Sequence, residues 1–199
     1  MAKVRQIQEH WPLRESDAVT RYVRLLGSHL AQIAAAGPGL LWHFNVVRDH
    51  SAMAFAVGNG YVYISEGAIM LCQNESELAA ILAHEIGHQV AGHFCPDHDS
   101  NRSRLATKQK AIGSLSQVLD MDKEAQADRI AVQILQSGGY DPHAMLAISK
   151  RLGKQGGAYV HGGERERISA LAALLARYPH SRIPDSRQFL QIKRELGRQ

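Results

Sequence analysis

A short run of the sequence, His84-Glu85-Ile86-Gly87-His88, carries two imidazoles and a carboxylate at a spacing that suits metal chemistry. On a helix, residues four apart point in nearly the same direction, so His84 and His88 can bind one ion such as Zn²⁺. Glu85 projects beside the ion and can take a proton from its bound water, then pass it to a leaving amine. The run therefore predicts a zinc-dependent hydrolase, against the alternative of a partly buried helix with coincidental histidines.

A second acidic pair lies downstream, in Glu124-Ala125-Gln126-Ala127-Asp128. A catalytic zinc site needs a third protein ligand and one open position, and Glu124 can supply that ligand. Asp128, four residues later, can accept the free ring N–H of a ligating histidine and fix its tautomer. Alone, such a pair is typical of a solvated helix face. The histidine run upstream, and the small Ala125 and Ala127 that leave room for close helix packing, favour the metal site.

The pattern around these residues predicts an α+β fold that is dominated by helices, with a small β-sheet beside the active-site helix. Helices are expected at about residues 16–36, 75–93, 121–137, 142–152, 164–177 and 186–196. Strands are expected within about 41–65, with a turn at Gly58-Asn59-Gly60. We expect a single domain over residues 1–199.

The composition is that of an ordinary globular protein, with 45% hydrophobic and 21% charged residues in 199. The net charge of +4 permits peripheral contact with an anionic surface, but there is no dense basic tract, which argues against nucleic acid as a partner.

Two cysteines, Cys72 and Cys95, are too few for a disulfide scaffold. No apolar run approaches the ~20 residues of a membrane helix, and the first ten residues lack a signal-peptide pattern, which predicts a cytoplasmic protein or a mature or truncated form.

These motifs resemble those of the M48 family of zinc metallopeptidases, the gluzincin-type group with HtpX-like, Ste24-like, Oma1-like and soluble bacterial members. The resemblance covers about residues 52–171. Residues 74–88 are similar to the family's active-site helix, and Glu124, Ala127 and Asp128 match its Glu-x-x-Ala-Asp motif. The resemblance implies one Zn²⁺ per chain, endopeptidase activity on extended or misfolded proteins in protein quality control, and the soluble, often periplasmic branch of the family.

The segment Met53-Ala54-Phe55-Ala56 stands where the family usually has Asn-Ala-Phe-Ala, so Met53 replaces an asparagine. The resemblance implies that Met53, Ala54, Phe55 and Ala56 form a substrate-binding strand, on which an extended peptide pairs by adding a strand to the sheet.

Two later residues, His161 and Arg167, keep the spacing of the family's His-Pro…Arg-Ile motif, although Gly162 replaces the proline. The resemblance implies a catalytic role for His161, as a donor to the oxyanion, or a resting-state role as a latch on the fourth zinc position; a solvated loop histidine is the alternative. Arg167 either anchors the loop of His161 by pairing with a carboxylate or simply lies on the surface of the helix that follows.

His93 lies about 140° around the helix from His88, so we expect it outside the metal site, at the helix C-terminus where its ring suits the dipole.

As an alternative function, the chain is a chaperone-like or assembly-binding module on a latched, little-used peptidase fold, with the polar segment 97–110 and the His161 loop covering the site.

Overall fold

The computed structural model describes residues 7, 11–34, 40–93, 121–154, 164–181 and 183–198. His161 with its glycine-rich loop, the polar segment 97–110 and Cys95 lie outside the described residues. In chain order, the elements are α1 (Ala18–Ile33), β1 (His43–Val47), β2 (Ala54–Ala56), β3 (Tyr61–Ser65), α2 (Glu66–Leu71), α3 (Glu75–Val90), α4 (Met121–Ser137), α5 (Ala144–Lys154), α6 (Glu164–Leu175) and α7 (Arg187–Leu196).

The three strands form one sheet in the order β1-β3-β2. β1 runs parallel to β3, with His43 opposite Tyr61, and β2 runs antiparallel to β3, with Ala54 opposite Ile64. The β2–β3 hairpin turns at Gly58-Asn59-Gly60, where the φ angles are +88°, +51° and +78°. Glycine and asparagine tolerate this left-handed region better than other residues, so the turn lies where the sequence predicts it. The pairing leaves β2 at an edge of the sheet.

Helix α3 is the central helix of the fold, and residues 76–88 are all buried. It begins at the cap residue Asn74, whose side-chain oxygen accepts the backbone N–H of Glu77 at 3.0 Å. It ends at Val90, three residues before the predicted end, because Gly92 adopts a φ of +71° and turns the chain.

The sheet is covered on both faces. One face packs against α1 and α3 in the main core, and the other carries a smaller apolar cluster that includes a residue from each strand. The members of the smaller cluster are Ile7, Trp11, Val47, Met53, Phe55 and Tyr63. The six-residue helix α2 is the element that the sequence analysis did not predict; it begins directly after β3, where Ser65 caps it by accepting the N–H of Ala68 at 3.0 Å.

The helix-dominated α+β class that the sequence predicts is confirmed. Helix α4 has the predicted bounds. The bounds of α5, α6 and α7 differ from the predicted ones by no more than two residues at either end. None of the described helices is long and apolar enough to cross a membrane.

Candidate active site

The candidate site lies where α3 and α4 come into close contact. Gly87 on α3 faces Ala127 on α4, and a Cβ atom on Gly87 would lie only 2.7 Å from the carbonyl oxygen of Ala127. Any side chain here would push the helices apart. The glycine within the histidine motif therefore lets the acidic residues of α4 reach the histidines of α3.

Three predicted ligands, His84, His88 and Glu124, converge at this contact. The Nε2 atoms of the two histidines are 3.0 Å apart, and each lies 3.3 Å from a different oxygen of the Glu124 carboxylate. One donor atom from each residue falls within a group that spans no more than 4.8 Å, and all three side chains are buried. Two imidazole nitrogens and one carboxylate oxygen make a donor set that zinc prefers, and three protein ligands are the number that catalytic zinc sites use.

The charge balance at the site also fits a divalent cation. Three carboxylates, Glu85, Glu124 and Asp128, are buried around the histidines. In the described part of the chain, Arg167 brings one positive charge to Glu124 and Asp128. Buried charges are costly unless they are compensated. With both histidines neutral, as they are when they bind a metal, a doubly charged ion would balance the three ionised carboxylates and Arg167.

Asp128 and Arg167 form a buried pair behind His84. Asp128 Oδ1 lies 3.0 Å from His84 Nδ1, and Arg167 donates to both oxygens of Asp128 at 3.0 and 2.7 Å. Burial raises the pKa of Asp128, but the hydrogen bonds from His84 and Arg167 outweigh it and lower that pKa to about 2. Of the two roles considered for Arg167, the structure places it against carboxylates; the loop that it would anchor lies outside the described residues.

The two histidines differ in their electrostatic surroundings. Burial and Arg167 lower the pKa of His84, but its hydrogen bonds to Asp128 and Glu124 outweigh both and raise it to about 9. Burial lowers the pKa of His88 to about 4, so this ring is neutral, the form that binds a metal.

Glu85 faces the edge strand from the next position of α3. Its side chain is buried, and burial raises its pKa to about 7, although a hydrogen bond from the backbone of Ala56 in β2 lowers it. A carboxyl group with a pKa near neutrality can both accept and release a proton under physiological conditions.

The four residues of the predicted substrate strand are placed differently. Met53 and Ala54 line a cavity of about 70 Å³ together with His84 and Glu85. The backbone of Ala56 contacts Glu85. The side chain of Phe55 lies on the opposite face of the sheet, where its ring centroid is 5.5 Å from that of Trp11 and 5.2 Å from that of Tyr63. The side chain of Phe55 is thus turned away from the cavity, because alternate residues of a strand face opposite sides of the sheet.

His93 lies closer to the site than the sequence analysis expected. It is not one of the three donors, but its Nδ1 is 2.8 Å from Nδ1 of His88. The expectation assumed a helix that continues through His93, whereas α3 ends at Val90 and the chain turns back at Gly92. The sequence signal that could have found this contact is a glycine followed by a histidine, four and five residues after His88.

Comparisons of the sequence with known proteins find similarity to peptidases. Residues 17–98, which include α3 but not α4, match the family model for Peptidase family M48. The beta-barrel assembly-enhancing protease of Yersinia pestis is 29% identical over 177 residues, which are 76% of this chain and 36% of that protein. The protein of the same name from Escherichia coli (strain K12) is 29% identical over 174 residues, which are 75% of this chain and 36% of that protein.

A eukaryotic relative gives a similar result. The mitochondrial metalloendopeptidase OMA1 of Schizosaccharomyces pombe is 31% identical over 136 residues, which are 60% of this chain and 40% of that protein. The chain therefore spans a little over a third of the length of these relatives.

Proposed function

Because this chain belongs to peptidase family M48, we propose that it is a zinc-dependent endopeptidase that acts on extended or misfolded protein segments. The observation that carries the proposal is the convergence of His84, His88 and Glu124 on one point at the contact between α3 and α4. A zinc ion held by these three residues would activate a water molecule and polarise the carbonyl group of the substrate.

The protein's own residues would then have separate tasks. Glu85 accepts the proton of the attacking water and returns it to the nitrogen of the leaving amine. Asp128 holds the ring of His84 through its Nδ1–H, and Arg167 holds Asp128 through two hydrogen bonds. His161 remains a sequence-based proposal, as an oxyanion donor or a latch.

The substrate would bind along the edge of β2. Among the described residues, β2 pairs with β3 alone, and its Ala56 backbone already reaches the proposed base Glu85. An extended peptide that pairs with this edge is held by main-chain hydrogen bonds, which depend little on its side chains. This mode suits unfolded segments, since these expose their backbone groups.

The cavity beside Glu85 would add a side-chain preference. Its volume of about 70 Å³ is about half of the roughly 150 Å³ that holds benzene in an apolar cavity. Its lining includes Ala80, Met145 and Leu152, so it suits a short aliphatic side chain. We expect cleavage next to valine or leucine in preference to phenylalanine.

The Leu152→Ala variant, with the exposed Leu25→Ala as its control, should accept phenylalanine better in a peptide series; an unchanged preference would contradict this use of the cavity.

The resemblance to the often periplasmic branch of the family supports a periplasmic or otherwise extracytoplasmic location for the protein, with the cytoplasm as the alternative. Two of its relatives are named for enhancing β-barrel assembly, which also favours the assembly-binding module as a second candidate function. The Glu85→Gln variant separates the two functions. A binding activity that survives in this variant would favour the module over the peptidase.

Metal analysis together with digestion of an unfolded protein such as casein tests the main proposal. We expect one zinc per chain, loss of zinc in His84→Ala and His88→Ala, and loss of digestion after treatment with a chelator that zinc restores. A purified chain that contains no transition metal, and takes up no zinc when it is added, would contradict the proposal.

A further inference from the structure

We propose that His93 is a positioning residue that holds the metal-binding ring of His88 in place. The inference rests on the zinc site proposed above and adds a residue that lies outside the three donors. It is supported by three observations: the way α3 ends, the atoms that face one another, and the contact of His93 with α4.

The end of α3 places His93 on His88. Gly92 has a φ of +71°, and the N–H of His93 donates to the carbonyl oxygen of His88 at 3.1 Å. This is the six-residue hydrogen bond of a Schellman cap, in which the residue after the glycine folds back onto the helix and its side chain meets the one five positions earlier. The two ring centroids are 5.0 Å apart, at an angle of 66°.

The positions of the ring nitrogens determine where the protons lie when a metal is bound. The Nε2 atom of His88 faces Glu124 and His84, so it is the nitrogen that would bind the metal, and its proton must be on Nδ1. That N–H points at Nδ1 of His93, 2.8 Å away, which must therefore accept.

The same assignment continues to the next helix. With Nδ1 of His93 as an acceptor, the proton of its neutral ring is on Nε2. Nε2 lies 3.3 Å from Oε1 of Gln126 on α4, an oxygen that accepts this N–H. Each N–H in the series from His88 through His93 to Gln126 thus faces an acceptor. These hydrogen bonds link the end of α3 to α4 beside the site.

The role of His93 parallels that of Asp128. Each accepts a hydrogen bond from the outer nitrogen of one metal-binding histidine, Asp128 from His84 and His93 from His88. Such partners fix the orientation and tautomer of the ligand, and their loss typically lowers metal affinity about 10–100-fold.

A matched pair of variants in the full chain tests this role. Asparagine places its Oδ1 where Nδ1 of His93 lies, and leucine has nearly the same shape but no acceptor. The dissociation constant for zinc, measured by competition with a chelator, should rise about 10–100-fold in His93→Leu and return to within about threefold of the wild type in His93→Asn. His29→Leu, which changes an exposed histidine on α1, should bind zinc as the wild type does.

The second measurement is the tautomer of His93 in the zinc-loaded protein, read from the ¹⁵N shifts of its ring. We expect a neutral ring with its proton on Nε2. A proton on Nδ1, or equal zinc affinities for the leucine and asparagine variants, would overturn the positioning role while leaving the zinc site intact. A wild-type chain that binds no zinc would instead overturn the proposed function, and this inference with it.

Discussion

The two histidines of the candidate site are held by different kinds of partner, which form a charged side behind His84 and a neutral side behind His88. Behind His84, the buried pair of Asp128 and Arg167 supplies charged hydrogen bonds. Behind His88, the neutral ring of His93 accepts from Nδ1, and the side chain of Gln126 beyond it is exposed. Charged, buried hydrogen bonds are stronger, but the loss of one partner leaves the other buried and unpaired, which costs stability. Neutral hydrogen bonds near solvent are weaker, and the loss of a partner there costs less.

The largest effect should come from a change that affects both sides at once. Glu124 contacts His84 through one oxygen and His88 through the other. Glu124→Gln keeps the size but removes the anionic charge, so zinc affinity should fall by more than the roughly 100-fold upper value for an outer partner. Chelator competition measures it. If the fall were smaller than for Asp128→Asn, the roles of the two carboxylates would have to be exchanged.

The charged side should be most sensitive to loss of its cation. Arg167→Met leaves the carboxylates of Asp128 and Glu124 buried without that cation, and breaking a buried pair in this way costs about 3–5 kcal/mol of unfolding free energy. Urea unfolding of the metal-free protein measures the loss. Arg165→Met, at an exposed position of the same helix, is the matched control and should lie within about 0.5 kcal/mol of the wild type. A similar small loss in Arg167→Met would contradict the buried pair.

A milder change tests the charge behind His84 alone. Asp128→Asn still offers an oxygen to the ring N–H of His84 but no negative charge, so zinc affinity should fall about 10–100-fold. Isothermal titration of the metal-free protein with zinc measures it. Unchanged affinity would mean that the charge of Asp128 contributes nothing to the orientation of His84.

The smallest effect is expected at Gln126, the outermost residue of the neutral side. Gln126 is exposed, and its contact with His93 is 3.3 Å long. Gln126→Ala should change the unfolding free energy by about 0.5 kcal/mol or less, in line with other exposed substitutions. Thermal or urea unfolding measures it. A loss as large as that of Arg167→Met would remove the contrast between the two sides.

The same contrast separates what the sequence could predict from what it could not. The charged side follows from local spacing, because Glu124 and Asp128 lie four residues apart on a helix whose bounds the sequence predicts correctly. The neutral side depends on a chain reversal at Gly92, which a regular helix projection through His93 does not include.

Two features of the fold were hidden for related reasons. The parallel pairing of β1 with β3 joins strands that are separated in the chain by β2, and strand order is not encoded in alternation along one strand. Helix α2 has only six residues, too few to show a helical period, and it directly follows the strand-forming segment Tyr61–Ser65.

The most direct test of the account is a paired measurement of bound zinc and of peptide hydrolysis in the wild type and in Glu85→Gln. Along α3, Glu85 lies between the proposed ligands His84 and His88. We propose that it moves protons and does not hold the metal. We predict one zinc per chain in both proteins, and hydrolysis that falls about 10²–10⁴-fold in the variant, since the base is lost while the metal site remains. Loss of zinc from Glu85→Gln, or full hydrolysis by it, would contradict the account.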